Sequence, residues 1–132
     1  MTPELTALAL AALLQIVQIG LVGWSTARDV GGSEWAGSPR DTPPPKPLSH
    51  TTGRLMRATS NHFEGLAFFT IAVLVTTLSG QSTAFTAACA WAYLGARVLY
   101  VPAYVASIGS TRSLVWTVGF VATLAMILAA LF

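Results

Sequence analysis

The chain has 132 residues, of which 54% are apolar and only 9% charged, and its mean hydropathy is +0.65. A soluble domain carries about 25% charged residues, so this chain cannot clothe a water-facing surface and reads as a single integral membrane domain over residues 1–132. Seven Lys and Arg against five Asp and Glu are too few for a nucleic-acid footprint, and a lone cysteine, Cys89, excludes an intrachain disulfide, a paired redox motif and a cysteine-rich metal site.

The first apolar segment runs from Leu5 to Trp24 without a charge, interrupted after Thr6 by Gln15, Gln18, Gly20 and Gly23. Crossing the hydrocarbon core takes about 20 such residues in a helix. A secretory signal opens on a basic region; Glu4 stands there instead, so the segment is expected to be a retained first span over about residues 5–27. Residues 28–52 are polar and rich in Gly and Pro, including Pro43-Pro44-Pro45-Lys46-Pro47. Proline removes backbone donors and glycine costs helix entropy, which predicts a surface loop, a stiff connector rather than a docking peptide. Further spans follow at about 53–79, 83–105 and 112–132, joined by short turns around Gly80-Gln81-Ser82 and Gly109. The expected fold is all-α, an integral membrane four-helix bundle.

Basic residues set the orientation of such a bundle. Arg28, Arg40, Lys46, Arg54, Arg57, Arg97 and Arg112, which are all of the Lys and Arg present, lie in or toward the side that holds the 28–52 loop. That loop is therefore expected in the cytoplasm, with both termini on the opposite side.

Ionisable groups at membrane depth are costly, and they usually face a protein interior or a hydrated cavity. In the second span Arg54, Arg57, Asn61 and Glu64 recur at spacings of three and four, which places them on one stripe. At about 1.5 Å per residue, Glu64 lies roughly 15 Å along the helix from Arg54. That is deep for a short side chain, and Arg57 or Arg97 is the expected partner. Arg97, Tyr100 and Tyr104 form a matching stripe on the third span, which descends toward the same side. Arg112 and Ser113 open the fourth, where backbone donors and a guanidinium meet as an anion site requires. Together they describe a polar pocket, open to the cytoplasm, with several cations and one deep carboxylate.

Plainer roles stand beside this one. Arg54 and Arg112 also suit interfacial anchors, Tyr100 and Tyr104 suit an aromatic belt, and Arg57 with Glu64 suits a structural ion pair. What favours a site is convergence: three helices bring their polar groups to one end and one depth, while the first carries only amides. His62 falls off the stripe and is expected in packing or a subunit contact. His50 lies in the loop, and no third ligand stands at a metal-binding spacing. Cys89, in the apolar half of the third span, is expected to be inert, and Trp24, Trp91 and Trp116 to be ordinary membrane aromatics.

The segment Arg54-Leu55-Met56-Arg57-Ala58-Thr59-Ser60-Asn61-His62-Phe63-Glu64 resembles the second-helix signature of the MAPEG family, the membrane-associated proteins in eicosanoid and glutathione metabolism. Ala96-Arg97-Val98-Leu99-Tyr100-Val101-Pro102-Ala103-Tyr104, followed by Arg112-Ser113, is similar to its third helix and the start of its fourth. The resemblance implies a homotrimer that binds glutathione between subunits on the cytoplasmic side, and the short Ala-rich chain is expected in the inner membrane of a bacterium. It implies Arg57, Asn61, Glu64, Arg97, Tyr100 and Tyr104 as glutathione ligands, with Arg54 as a further candidate. It also implies Arg112 as the group stabilising the glutathione thiolate, with Ser113 as a neighbouring hydroxyl. The signs agree, since Glu64 can hold the ammonium of glutathione while Arg57 and Arg97 take its carboxylates. The second substrate would be a hydrophobic electrophile delivered by the bilayer.

The chain departs from that pattern at Thr59 and Ser60, where relatives often carry His, Gln or Arg, at Gly65, where several carry tyrosine, and in its long proline-rich loop. These departures thin the pocket and point to the alternative of a non-catalytic lipid-binding or scaffold member. A small four-helix exporter fits the length, but its carboxylate would usually stand in the first span, without arginine neighbours.

Overall fold

A computed structural model describes all 132 residues, Met1–Phe132. Four long helices make up the bundle: α1 (Pro3–Val30), α3 (His50–Leu78), α4 (Ala84–Val105) and α5 (Gly109–Leu131), with a single-turn α2 (Glu34–Gly37) in the connector. Each long helix has the length and hydropathy needed to cross a membrane. The architecture is the expected all-α four-helix membrane bundle.

Local chemistry sets the helix ends. Thr2 caps α1 by accepting from the Leu5 amide, and Pro3, which has no donor to waste, takes the first helical position. Gly31 closes the helix in the left-handed conformation at φ 84°, a geometry that costs little without a Cβ. Ser49 caps α3, and Thr83 forms a reciprocal capping box with Thr86 at the start of α4. These caps carry α1 and α3 past the uncharged segments, to Val30 and back to His50.

The interior joins all four long helices: Ala7 and Ala11 of α1, Phe69, Ala72 and Val73 of α3, Ala90 and Tyr93 of α4, and Ala122 and Met126 of α5. Alanines let the backbones approach closely, as lipid-solvated helices require. Phe69 and Tyr93 supply the bulk, stacked with ring centroids 3.8 Å apart. Leu13, Ile16, Phe63, Phe68 and Leu114 are more than half exposed, as suits side chains that face hydrocarbon.

Polar contacts fasten α1 to its neighbours. His62 Nδ1 donates to Gln18 Oε1 at 2.6 Å, and Gln15 Nε2 donates to the Thr59 carbonyl at 3.4 Å. His62 is 1% exposed within one subunit, so of its two expected roles it fills the packing one. Glu4 is fully buried, and Thr86 Oγ1 donates to its Oε1 at 2.6 Å. The connector is pinned where it enters and leaves: Asp29 Oδ2 accepts from the Ser49 amide at 2.8 Å and from Thr52 Oγ1 at 2.6 Å. Between those points Trp35 Nε1 donates to the Thr42 carbonyl, and the Arg40 guanidinium lies over the Trp35 ring.

Candidate functional site: two clefts with a common wall

Helical spacing of three and four carries the α3 stripe toward α4 and α5 at the end of the bundle that holds the connector. Two polar clefts open there. One, of about 510 Å3, is lined by Asn61, Tyr100, Tyr104, Arg112, Ser113, Trp116 and Thr117. The other, of about 350 Å3, is lined by Met56, Arg57, Ser60, Asn61, Glu64, Tyr100 and Tyr104. Asn61, Tyr100 and Tyr104 belong to both and form a wall between them.

Tyr104 is the electrostatic centre of that wall. Arg57 Nε donates to its hydroxyl oxygen at 3.3 Å, and the Arg112 guanidinium lies 5.0 Å from its ring centroid. Tyr100 meets Tyr104 edge to face at 5.5 Å. Aromatic faces attract cations, so two arginines from different helices are gathered about one phenol. Their remaining donors stay free for an anion.

Glu64 departs from expectation. Its side chain is exposed, and both candidate partners turn elsewhere, Arg57 to Tyr104 and Arg97 to Asn61. The reason is that Glu64 borders a cleft rather than the bundle interior, so no desolvation forces a pair within the subunit. It remains available to a cationic group.

Arg97 also stands apart from the reading that made it a direct ligand. It is 4% exposed and lines neither polar cleft. Its guanidinium lies behind the wall, near the rings of Tyr93 (5.1 Å) and Tyr100 (5.8 Å), with Nη1 donating to Asn61 Oδ1 at 2.9 Å. Gly65 makes room for it, while Gly119 lies in ordinary contact distance. A Cβ at position 65 would stand 2.9 Å from Arg97 Cζ and closer still to Nη2, and one at Gly119 would stand 3.6 Å from Nε. Gly65 is thus the seat of the guanidinium.

The remaining candidates divide. Arg54 Nη1 donates to the Val105 carbonyl at 3.1 Å, satisfying an orphan acceptor at the C-terminus of α4, and Arg54 lines neither cleft. Ser113 borders the larger cleft, but its hydroxyl donates back to the Gly109 carbonyl. Thr59, one of the departures from the family pattern, turns its hydroxyl to the Leu55 carbonyl of its own helix.

Sequence reasoning missed Met56 in the smaller cleft and Trp116 and Thr117 in the larger one. Trp116, read as a membrane aromatic, lines the larger cleft and stacks on Phe120. Thr117 lines that cleft and also an apolar one of about 450 Å3, formed by Phe85, Ala88, Cys89, Ala92, Val118, Val121 and Ala122. The spacing of Ser113, Trp116 and Thr117 by three and four was the available signal, hidden among uncharged neighbours. Cys89 therefore borders a lipophilic cleft between α4 and α5 that meets the polar one at Thr117.

No curated protein and no solved structure gives a significant match to the chain. The model of the MAPEG family matches residues 4–132, nearly the whole chain, and so takes in the three helices that build the clefts. By that match this membrane protein belongs to the MAPEG family, the membrane-associated proteins in eicosanoid and glutathione metabolism.

Proposed function

We propose that the protein is a membrane-bound glutathione transferase or peroxidase that activates the glutathione thiolate for attack on a lipophilic electrophile. The observation that carries this reading is the common wall, where Arg57 and Arg112 converge on Tyr104 while Glu64 stays free. Glutathione has two carboxylates and one ammonium. Arg57 takes a carboxylate, Glu64 the ammonium, and Arg112 faces the sulfur. A free thiol titrates near pH ~8.5, so little is ionised at neutral pH. A guanidinium beside it in a low dielectric favours the charged form, by about 1.4 to 2.7 kcal/mol for a tenfold to hundredfold gain.

The electrophile reaches the sulfur through the apolar cleft that meets the polar one at Thr117. In the transferase step the sulfur lone pair forms a C–S bond and the leaving group departs with its electron pair. In the peroxidase step the sulfur attacks one peroxide oxygen and an alcohol leaves. A second glutathione then reduces the resulting sulfenic acid, giving disulfide and water. The family's habit supports a homotrimer in which a neighbouring subunit closes the clefts. The basic residues at the connector end favour the cytoplasmic side for the clefts, and the short Ala-rich chain suits a bacterial inner membrane.

Thiolate absorbance at about 240 nm, read on adding glutathione to purified protein, tests the reading. Wild-type protein gives the band and Arg112→Ala loses it; absence of the band and of glutathione binding in the wild type overturns the proposal. A second reading, a non-catalytic lipid-binding or scaffold member, draws on Thr59 and Ser113, whose hydroxyls are engaged by helix carbonyls instead of the clefts. Co-purified lipid with no conjugation of any electrophile would establish it.

A further inference from the structure

Asn61 is the only asparagine in the chain, and it belongs to the wall shared by both clefts. A carboxamide has one accepting edge and one donating edge. Arg97 Nη1 donates to Oδ1 at 2.9 Å, and a guanidinium has no acceptor to offer. The partnership therefore fixes the amide: Oδ1 faces Arg97 and the NH2 edge faces away from it. Nδ2 has no partner within the chain, yet it is not among the sealed atoms that lack one. It is open to the clefts.

Arg97 is held firmly enough to act in this way. It is 4% exposed, it is flanked by two aromatic rings, and its tip fills the space that a side chain at position 65 would need. A methyl group at Gly65 meets only the far end of Arg97, so it would displace the guanidinium and leave the backbone in place.

We propose that Arg97, seated on Gly65, is a positioning residue that holds the Asn61 amide with its NH2 edge toward the clefts, so that their common wall selects a carboxylate-bearing ligand. With the amide so held, Asn61, Arg57 and Arg112 all present donors, and Glu64 is the one charged acceptor. A ligand carboxylate meets the wall with two charged acceptor oxygens, whereas a neutral amide offers a single uncharged one and forms the weaker bonds. Naming that ligand as glutathione rests on the function proposed above; the orientation of the amide does not.

Labelling the full-length protein with 15N-asparagine gives a single side-chain NH2 pair in its NMR spectrum, in detergent or nanodiscs. In the wild type this pair shifts on adding glutathione. Gly65→Ala and Arg97→Met move it toward the position of a free amide, while helical circular dichroism is kept, and Arg97→Lys, which retains a donor, moves it less. Glutathione binding weakens about tenfold in Arg97→Met, the worth of one hydrogen bond to a charged group. It weakens as much in Asn61→Ala, with no further loss in the double variant. An amide pair indifferent to both Gly65→Ala and Arg97→Met overturns the proposal, as do losses that multiply in the double variant. A pair silent to glutathione but shifted by hexanoate and not by hexanamide upholds the positioning role and overturns the glutathione reading. Silence to glutathione and hexanoate alike overturns the selection of a carboxylate.

Discussion

Four arginines point toward one end of this bundle, and they do different work according to the neighbours they meet. Arg54 closes the carbonyl end of α4, Arg57 and Arg112 flank Tyr104, and Arg97 lies behind the wall with Asn61. Exchange of Arg54 and of Arg57 should therefore separate stability from binding. Arg54→Ala removes the donor to Val105 and is expected to cost about 1 to 2 kcal/mol, seen as a lower melting temperature in detergent with little change in glutathione affinity. Arg57→Ala, at an exposed position, should leave melting nearly unchanged and weaken glutathione binding about tenfold or more, as loss of a charge-assisted contact does. Arg112→Ala should act on reactivity. A thiolate stabilised by a cation persists at lower pH, so removing the cation moves the acid limb of the pH–rate profile upward by about one pH unit or more. An unmoved limb would take Arg112 away from the sulfur.

At the scale of the helices, the stripes were legible and the pairings were not. Spacings of three and four in Arg54, Arg57, Asn61 and Glu64 suffice to place four side chains on one side of α3. Which cation meets which acceptor depends on room made by a missing side chain, here at Gly65, and the spacing of the polar residues does not record that. The burial of Glu4 was not legible for a related reason: an acid in the first turn of a helix is ordinary, and its donor Thr86 is 82 positions away. The attachments of α1 are testable because single deletions strand their partners. Gln18→Leu leaves His62 Nδ1 buried without an acceptor, a loss of about 1 to 3 kcal/mol, whereas Gln18→Leu with His62→Phe should recover part of it, since hydrogen bonds between membrane helices are worth only about 0.6 kcal/mol on average. Thermal unfolding of the two variants in one detergent gives the comparison. The connector has its own lever in Asp29, which accepts from both Ser49 and Thr52. Asp29→Ala frees the start of α3, and tryptic cleavage after Arg40 should accelerate several-fold while the core melts unchanged.

For the whole molecule, the distribution of charge between the two ends decides how it sits in the bilayer. The connector end holds Arg28, Arg40, Lys46, Arg54, Arg57 and Arg112, and Arg97 lies about 12 Å along α4 from Val105 at that same end, at about 1.5 Å per residue. The opposite end, where Thr2, Glu4, Gln81 and Thr83 gather, has no basic side chain. Short flanking segments rich in Lys and Arg stay in the cytoplasm, and the tilt here is complete, so the clefts should open toward the compartment where glutathione is made and kept reduced. Single cysteines placed at Thr42 and Gln81 in a Cys89→Ser background read this directly, because Cys89 itself borders an apolar cleft and its removal leaves no other thiol. In intact bacterial cells a charged, membrane-impermeant maleimide should label Gln81→Cys and spare Thr42→Cys until the membrane is opened. The reverse pattern would put the arginine-lined clefts outside and leave them without their thiol, even with every contact within the bundle unchanged.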